Sequence, residues 1–456
     1  MSRWITRQPE AGGVAGRTGR VVIIRNCRPA PGVVRGEPLA RIVACCLLFV
    51  LFIGGVAAGP VKTGIEVLRD SGFEILQGKR VGLVTNPTGV DSRLVPTVDI
   101  LDSAARTGTF SLAALYGPEH GIRGNVAAGE KVASGREPST GVPVFSLYGA
   151  TRKPTPQMLA GIDVLVFDIQ DIGTRSYTYL STMGRVMEAA AENGIPVVVL
   201  DRPNPLGGER VEGCEIVEPG FVSFVSAYPV PYVHGMTVGE LARMLNGEKM
   251  LRGGVRCDLT VVPMRGWRRE MAWGECGLPW VPTSPHIPTP ESAFYYPATG
   301  TAGELGTLNI GVGYTLPFRT IAAPWISDAD ALARRLNALP ELAGFRFRPI
   351  HYSPFYGSGK GIEQHGVQIY LTDRATASRL TLVPFYAMQE LAALYPGRRP
   401  LAAAESRLAM FDKVLGTDRM RKMFVGAGCR VTPQMAALWR PSETFLATRQ
   451  KYLLYY

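Results

Sequence analysis

A chain of 456 residues that is 46% apolar is long enough for two or three domains and can fill their cores, which excludes a disordered protein. Its formal charge of +11 invites a nucleic-acid reading, but +6 of it belongs to residues 1–41, where eight arginines face two glutamates. The remaining +5 is spread without a dense Lys/Arg run, which argues against a nucleic-acid partner.

Residues 1–59 read as a leader. Arg41 is followed by an uncharged stretch, 42–59, with the apolar centre CCLLFVLFIGGV and the small-residue end Val56-Ala57-Ala58. That pattern predicts a signal peptide cleaved after Ala58 and an exported protein, periplasmic or associated with the cell envelope. The alternative is a membrane tether through residues 42–58, which lie at the lower length limit for a span. Four cysteines follow the leader: Cys214, Cys257, Cys276 and Cys429. They form no CxxC pair, and the five histidines (120, 234, 286, 351, 365) form no HxH or HExxH, so no metal site is expected.

The elements follow in order. Residues 64–76 have helical spacing of apolar positions, and 81–85 read as a first buried strand broken by Asn86-Pro87-Thr88-Gly89. A helix opens at Pro96. Residues 112–116 form a second strand that runs into Gly117-Pro118-Glu119-His120-Gly121, and 144–148 a third. Thr155-Pro156 predicts a helix start. The run 164–167 is a strand buried on both faces, followed by a helix from about Ser181 to Asn193-Gly194. A fifth strand, 197–200, ends in Asp201-Arg202-Pro203-Asn204. Alternation of strands and helices over 60–235 predicts an α/β fold with an open, mostly parallel sheet.

Beyond residue 235 the texture changes. Thr237 to Glu240 is a capping box before a helix ending near Asn246-Gly247, and 259–263 is a strand. Residues 267–318 read as a long aromatic, Pro- and Gly-rich loop, a length that usually signals function. A helix over 327–336, strands at 345–350 and 367–371 and a helix over 379–394 complete a smaller α/β domain, 236–456.

Three polar clusters lie directly past parallel strands: Glu119-His120-Arg123, then Asp168 and Asp171 with Arg175 and Tyr177, then Asp201-Arg202-Asn204. Strand ends of one sheet converge at the edge where such folds bind ligands. Glu119, held among glycines and a proline, suits a general acid, with His120 as its partner or a turn donor. Asp168 is the candidate second carboxylate of a glycosidase pair, or a structural acceptor of loop N–H groups. Arg123, Arg175 and Arg202 could each read a carboxylate through the guanidinium fork, or form a structural ion pair. The aromatic residues near His286 suit stacking on sugars, or an aromatic core. No GxGxxG opens the first helix after a strand, which counts against a nucleotide-dependent sugar oxidoreductase. The lack of GxSxG counts against a serine hydrolase.

The stretches GLVTNPTGVD, LYGPEHGIRG, FDIQDIGTRSYTYLSTM, VVLDRPNPLGG, YPVPYVHGMTVGELA, GLPWVPTSPHIPT and TLNIGVGYTLPF together resemble the exo-β-N-acetylmuramidase family, over roughly residues 62–450. The resemblance implies a Rossmann-like domain joined to a smaller α/β domain, with the active site in the cleft between them and no cofactor. It implies removal of terminal β-linked N-acetylmuramic acid from the non-reducing ends of peptidoglycan-derived saccharides, with Glu119 matching the family's catalytic carboxylate. One departure is visible: His365-Gly366-Val367-Gln368 stands where a Cys-Gly-Val-Gln stretch is expected. The rival from another class is a non-catalytic muropeptide-binding exported protein. The oligomeric state is not legible.

Overall fold

The structure, a computed structural model, describes residues 60–124 and 135–456. The leader, with its cleavage site and its alternative tether at 42–58, lies outside them. Among the described residues no helix is long and apolar enough to cross a membrane.

The larger sheet has seven strands: β1 (Arg80–Thr85), β2 (Ser111–Gly117), β3 (Gly135–Arg136), β4 (Pro143–Ser146), β5 (Val164–Asp168), β6 (Val197–Leu200) and β7 (Leu259–Val262), in the order β3-β4-β2-β1-β5-β6-β7. Only the short edge strand β3 is antiparallel to its neighbour. The six parallel strands, numbered one to six along the chain, therefore stand in the 3-2-1-4-5-6 order of a doubly wound Rossmann sheet. β5 at the centre is buried along its whole length, as its unbroken apolar run requires of a strand covered on both faces. β7 belongs to this sheet, pairing Val199 with Val261, although it lies past the 235/236 boundary drawn from the sequence.

Helix α1 (Gly64–Asp70) precedes β1, and α2 (Thr97–Ala105), α3 (Tyr179–Asn193) and α4 (Val238–Gly247) cross over between strands. Gly194 ends α3 in the left-handed conformation, as its Asn-Gly signature predicts. α1 lies against the end of β6: a Cβ on Gly64 would stand 2.5 Å from the Asp201 nitrogen, so only glycine permits that approach. The helix expected from Thr155-Pro156 does not form; those residues make turns, and Gly161 takes φ +78° before a full helical turn can propagate.

The second sheet is antiparallel, with β8 (Thr320–Ala323) and β9 (Phe345–Tyr352) flanking β10 (Gln364–Leu371). The expected long loop, 267–318, contains a helix, α5 (Ser292–Glu304). It escapes pattern reading because it is buried nearly all round, so apolar residues show no helical period, and because it carries Pro297, Gly300 and Gly303. α6 (Ala329–Asn337) is capped by Asp328, whose side chain accepts the Ala331 N–H at 2.7 Å. α7 (Val383–Leu394) and α8 (Leu408–Leu415) follow.

Arg175 connects these parts. It is one of the largest fully buried side chains. Its Nη1 donates to the carbonyls of Cys214 (3.1 Å) and Val230 (2.8 Å), and its Nη2 to those of Val414 (3.3 Å) and Leu415 (2.7 Å) at the end of α8. Burial holds its pKa down to about 10. This corrects the expectation that Arg175 binds substrate: its fork is spent on the chain's own backbone. Arg175→Met should therefore leave several buried carbonyls unpaired and cost about 3 kcal/mol or more, read as a lower urea midpoint. An unchanged midpoint with altered sugar selectivity would return Arg175 to the substrate.

Candidate active site

In a doubly wound sheet, ligands bind outside the carboxyl ends of the strands where the strand order reverses. Here that point lies between β1 and β5, and the residues that leave those strands and their neighbours are Asn86, Glu119, Tyr148 and Asp171.

Glu119 stands two residues past β2 and is partly exposed. The turn that presents it is strained: His120 has φ +71° and Gly121 φ +73°, and the Gly121 N–H closes the turn on the Pro118 carbonyl at 3.0 Å. A histidine in the left-handed region is uncommon, and such strain collects where a side chain must be aimed. Thr178 at the start of α3 donates its hydroxyl to Glu119 Oε2 at 3.3 Å. Tyr148, just past β4, also hydrogen-bonds Glu119; burial, and then the Glu119 charge and this bond, push its phenol up to about 12. Burial foremost raises the Tyr177 and Tyr179 hydroxyls, and the negative charges of Glu119 and Asp171 act on both, so the two carboxyls share one tyrosine-lined neighbourhood. Tyr177 and Tyr179 are fixed from the other side by Thr283, at 2.7 Å to its hydroxyl and 2.7 Å to its carbonyl respectively.

The remaining residues expected from the sequence serve mainly as scaffold. Asp168 is fully buried and takes a two-pronged ion pair from Arg202, Nε to Oδ1 at 2.5 Å and Nη2 to Oδ2 at 2.9 Å, with Thr97 Oγ1 on Oδ2 at 2.5 Å. A carboxylate so engaged is not available as the second catalytic group, and Arg202 is not available to substrate. The cavity beside Arg202 measures about 10 Å³, no more than a water fills. Asp201 caps α4, accepting from Thr237 Oγ1 (2.7 Å) and Gly239 N (2.8 Å), and also takes the Tyr455 hydroxyl at 2.6 Å. Burial still raises its carboxyl to about 6 against those bonds. Asn204 folds its own loop, bonded to Met236 O and Leu206 N.

Arg123 is the one of the three arginines beside an open groove, of about 260 Å³, which Asn86 also lines. Its Nη2 bonds Asp99 at 2.9 Å and Glu137 at 3.0 Å. Burial would raise the Glu137 carboxyl, but bonds from Ser139, Thr140 and Arg123 bring it down to about 2. His286 is partly buried, with its ring stacked on Tyr356 at 6.0 Å. Burial and then the electrostatic effect of His120 lower its pKa, so the two histidines lie within electrostatic range of each other.

Tyr148, Thr178 and Asn86 were not singled out from the sequence. Each lies within three residues of a strand or helix end that was, so proximity to β1, β4 and α3 is the signal that could have found them. A further cavity, of about 510 Å³, lies behind Tyr296 and is lined by Phe318, Asn309, Glu304 and Arg407. It contains none of the residues expected from the sequence. The four cysteines past the leader are buried free thiols. Among the described residues no three His, Cys, Asp or Glu side chains are grouped to hold a metal.

Asp171 is buried, and its Oδ1 accepts the Gly173 N–H at 2.7 Å while Oδ2 has no partner. Burial raises its carboxyl to about 7. Its neighbour His234 accepts the Met236 N–H on Nδ1, leaving Nε2–H 3.9 Å from Asp171 Oδ1. Burial and then the Arg449 charge lower the imidazole to about 3, so His234 is neutral and supplies no counter-charge. An acid whose pKa rises on folding favours the folded state in its protonated form. Its contribution is therefore intact below about pH 4 and is lost as the pH climbs to about 7. Asp171→Asn should escape that loss: its stability relative to the parent should rise between roughly pH 5 and pH 8, by at most about 1.4 kcal/mol per pH unit. Urea midpoints at the two pH values measure this, and a flat difference would mean that Asp171 ionises at its ordinary pKa.

Comparison with known proteins covers most of the described chain. Residues 81–291 match the family model described as exo-beta-N-acetylmuramidase NamZ, N-terminal, and residues 294–455 match its C-terminal counterpart. The peptidoglycan beta-N-acetylmuramidase NamZ of Bacillus subtilis (strain 168) is 44% identical over 399 residues, 87% of this chain and 91% of that protein. A crystal structure of a DUF1343 family protein from Bacteroides fragilis NCTC 9343 is similar at a TM-score of 0.80 and 52% identity, and a second from the same organism at 0.66 and 30%; each match covers 87% of this chain and 99% of the other. The chain belongs to the exo-β-N-acetylmuramidase NamZ family.

Proposed function

We propose that this protein removes terminal β-linked N-acetylmuramic acid from the non-reducing ends of peptidoglycan fragments, with Glu119 as the general acid. Family membership over both halves supports the activity. The observation that carries the residue is the placement of Glu119: a partly exposed carboxyl at the carboxyl edge of the sheet, aimed by a strained turn and held by Thr178 and Tyr148. A sugar leaving group departs as an alkoxide unless protonated. A carboxylic acid beside the glycosidic oxygen gives up its proton as that bond breaks, and water supplies the hydroxyl to the anomeric carbon.

Asp171, rather than Asp168, is the second carboxyl of this neighbourhood. With its carboxyl raised to about 7 by burial, it holds a proton over the acidic range instead of adding a second negative charge beside Glu119. Arg123 is the candidate for reading the lactyl carboxylate that distinguishes N-acetylmuramic acid from N-acetylglucosamine, because it borders a groove and is exposed, whereas Arg175 and Arg202 are buried; Asp99 and Glu137 hold its guanidinium in place there. His120 and His286 border the same region, and Tyr177 forms its wall.

Glu119→Gln keeps the shape and loses the proton. It should bind N-acetylmuramic acid nearly as the parent does and lose about 10² to 10⁴ in turnover on a sugar leaving group, with a smaller loss on an activated aryl β-N-acetylmuraminide. Equal losses on the two substrates in a folded variant would make Glu119 a base or nucleophile. Aryl release by the parent also separates hydrolysis from muropeptide binding alone.

The apolar stretch ending at Ala58 supports an exported, periplasmic or envelope-associated protein. Mass spectrometry of protein recovered from the envelope fraction should find a mature chain starting at Gly59; a chain retaining residues 42–58 would be tethered instead.

A further inference from the structure

Three large apolar side chains are exposed on one short loop of the second domain: Phe355 at 55%, Tyr356 at 42% and Ile362 at 53%. The loop, 354–362, joins β9 to β10 and is built to hold its shape. Phe355 N–H donates to the Gly313 carbonyl at 2.8 Å, and Gly361 N–H closes the loop on the Pro354 carbonyl at 2.8 Å. Gly357, Gly359 and Gly361 all take positive φ, between 69° and 78°. A fixed loop that leaves aromatic rings in water is unusual for a soluble surface and marks a binding face.

The rings form a continuous series. Tyr352 stacks on Tyr314 at 4.7 Å, Tyr314 meets Phe355 at 6.0 Å, Phe355 meets Tyr356 at 5.5 Å, and Tyr356 lies parallel to His286, 11° between planes. His286 lies within electrostatic range of His120, which follows Glu119 in the strained turn. The series thus leaves the neighbourhood of that turn at His286, reaches solvent at Tyr356 and Phe355, and is anchored from behind by Tyr314 and the buried Tyr352. His286 is a substrate-binding candidate from the sequence, but the proposed chemistry leaves its ring without a task.

We propose that the Phe355–Tyr356 loop, continued inward by His286, is the platform for the leaving portion of the substrate, the β-linked glycan chain on the reducing side of the scissile bond. The inference rests on the reading of Glu119 as the acid. An enzyme that removes one terminal sugar encloses that sugar and must leave the rest of the chain outside. The apolar C–H faces of N-acetylhexosamine rings match exposed aromatic faces, and their polar edges stay in water. The terminal sugar itself needs none of these rings.

The test compares three substrates on the full-length protein: an aryl β-N-acetylmuraminide, the N-acetylmuramyl–N-acetylglucosamine disaccharide, and the tetrasaccharide of the same repeat. In Tyr356→Ala and Phe355→Ala the loss of kcat/KM on the tetrasaccharide should exceed the loss on the aryl substrate by about three- to tenfold, carried by KM, as expected for one lost ring contact. Tyr356→Trp should restore the parent's preference. In the Glu119→Gln background, Tyr356→Ala should weaken tetrasaccharide binding by the same factor in calorimetry. This measurement holds even if Glu119 proves not to be the acid. Equal losses on all three substrates, or an unchanged tetrasaccharide affinity, would overturn the platform. So would a parent that sediments as a dimer and a Tyr356→Ala variant that sediments as a monomer with unaltered kinetics, since the rings would then cover a second copy of the chain.

Discussion

The buried ion pair between Asp168 and Arg202 is the constraint on which the carboxyl edge of the large sheet depends. A parallel sheet ends in loops that must turn inside protein, where every polar group needs a partner. Asp168 closes β5 and Arg202 follows β6, so their two-pronged bond sets the ends of adjacent strands against each other. Thr97 at the start of α2 and the Val90 carbonyl join the same pair. The β1 loop, α2, β5 and β6 are thereby registered at the point where the strand order reverses. Removing either charge would strand the other in the interior, a cost of several kcal/mol. Glu119 can stay partly exposed because other polar groups at that edge already hold the edge together.

Burial divides the polar residues of that edge by role. Asp168, Asp201, Arg175 and Arg202 are all more than nine-tenths buried, and their partners are strands, caps and carbonyls. Glu119 and Arg123 retain contact with solvent. Asp171 stands between: enclosed, with one oxygen unpartnered and a neutral histidine as neighbour.

Much of the fold was legible because its signals are local. Apolar runs such as 164–167, turns such as Asn86-Pro87, the Thr237–Glu240 capping box and the Asn193-Gly194 stop each specify an element within a few residues. The strands' succession then allowed a parallel sheet, and the motif around Glu119 could be placed just past a strand end, where the structure has it. What was not legible depended on partners far along the chain. Arg175 looked like a substrate ligand because it sits among Asp168, Asp171 and Tyr177; only folding brings Leu415, 240 residues away, to its guanidinium. Asp168 reads from the sequence as a second carboxylate and Arg202 as a carboxylate reader, and the two are one ion pair. α5 was hidden because a helix buried all round has no amphipathic period. The ring series from Tyr352 to His286 is assembled from three separated segments, which no spacing rule detects.

The Tyr455–Asp201 hydrogen bond has a consequence for the order of events during synthesis. Asp201 ends a central strand and caps α4, and its third partner is a tyrosine 254 residues downstream. The same hydroxyl receives the Met264 N–H and its ring packs edge-on against Trp267. The sheet domain therefore cannot reach its final packing on the ribosome while the second half is still being made. A nascent chain holding all seven strands still has an open seam here, where Trp267 lacks its neighbour and a buried carboxylate lacks a donor, and Arg175 still lacks the carbonyls of Val414 and Leu415. Loop closure over that distance is slow compared with local helix and turn formation, so the last step of folding joins the two halves of the chain rather than completing either one.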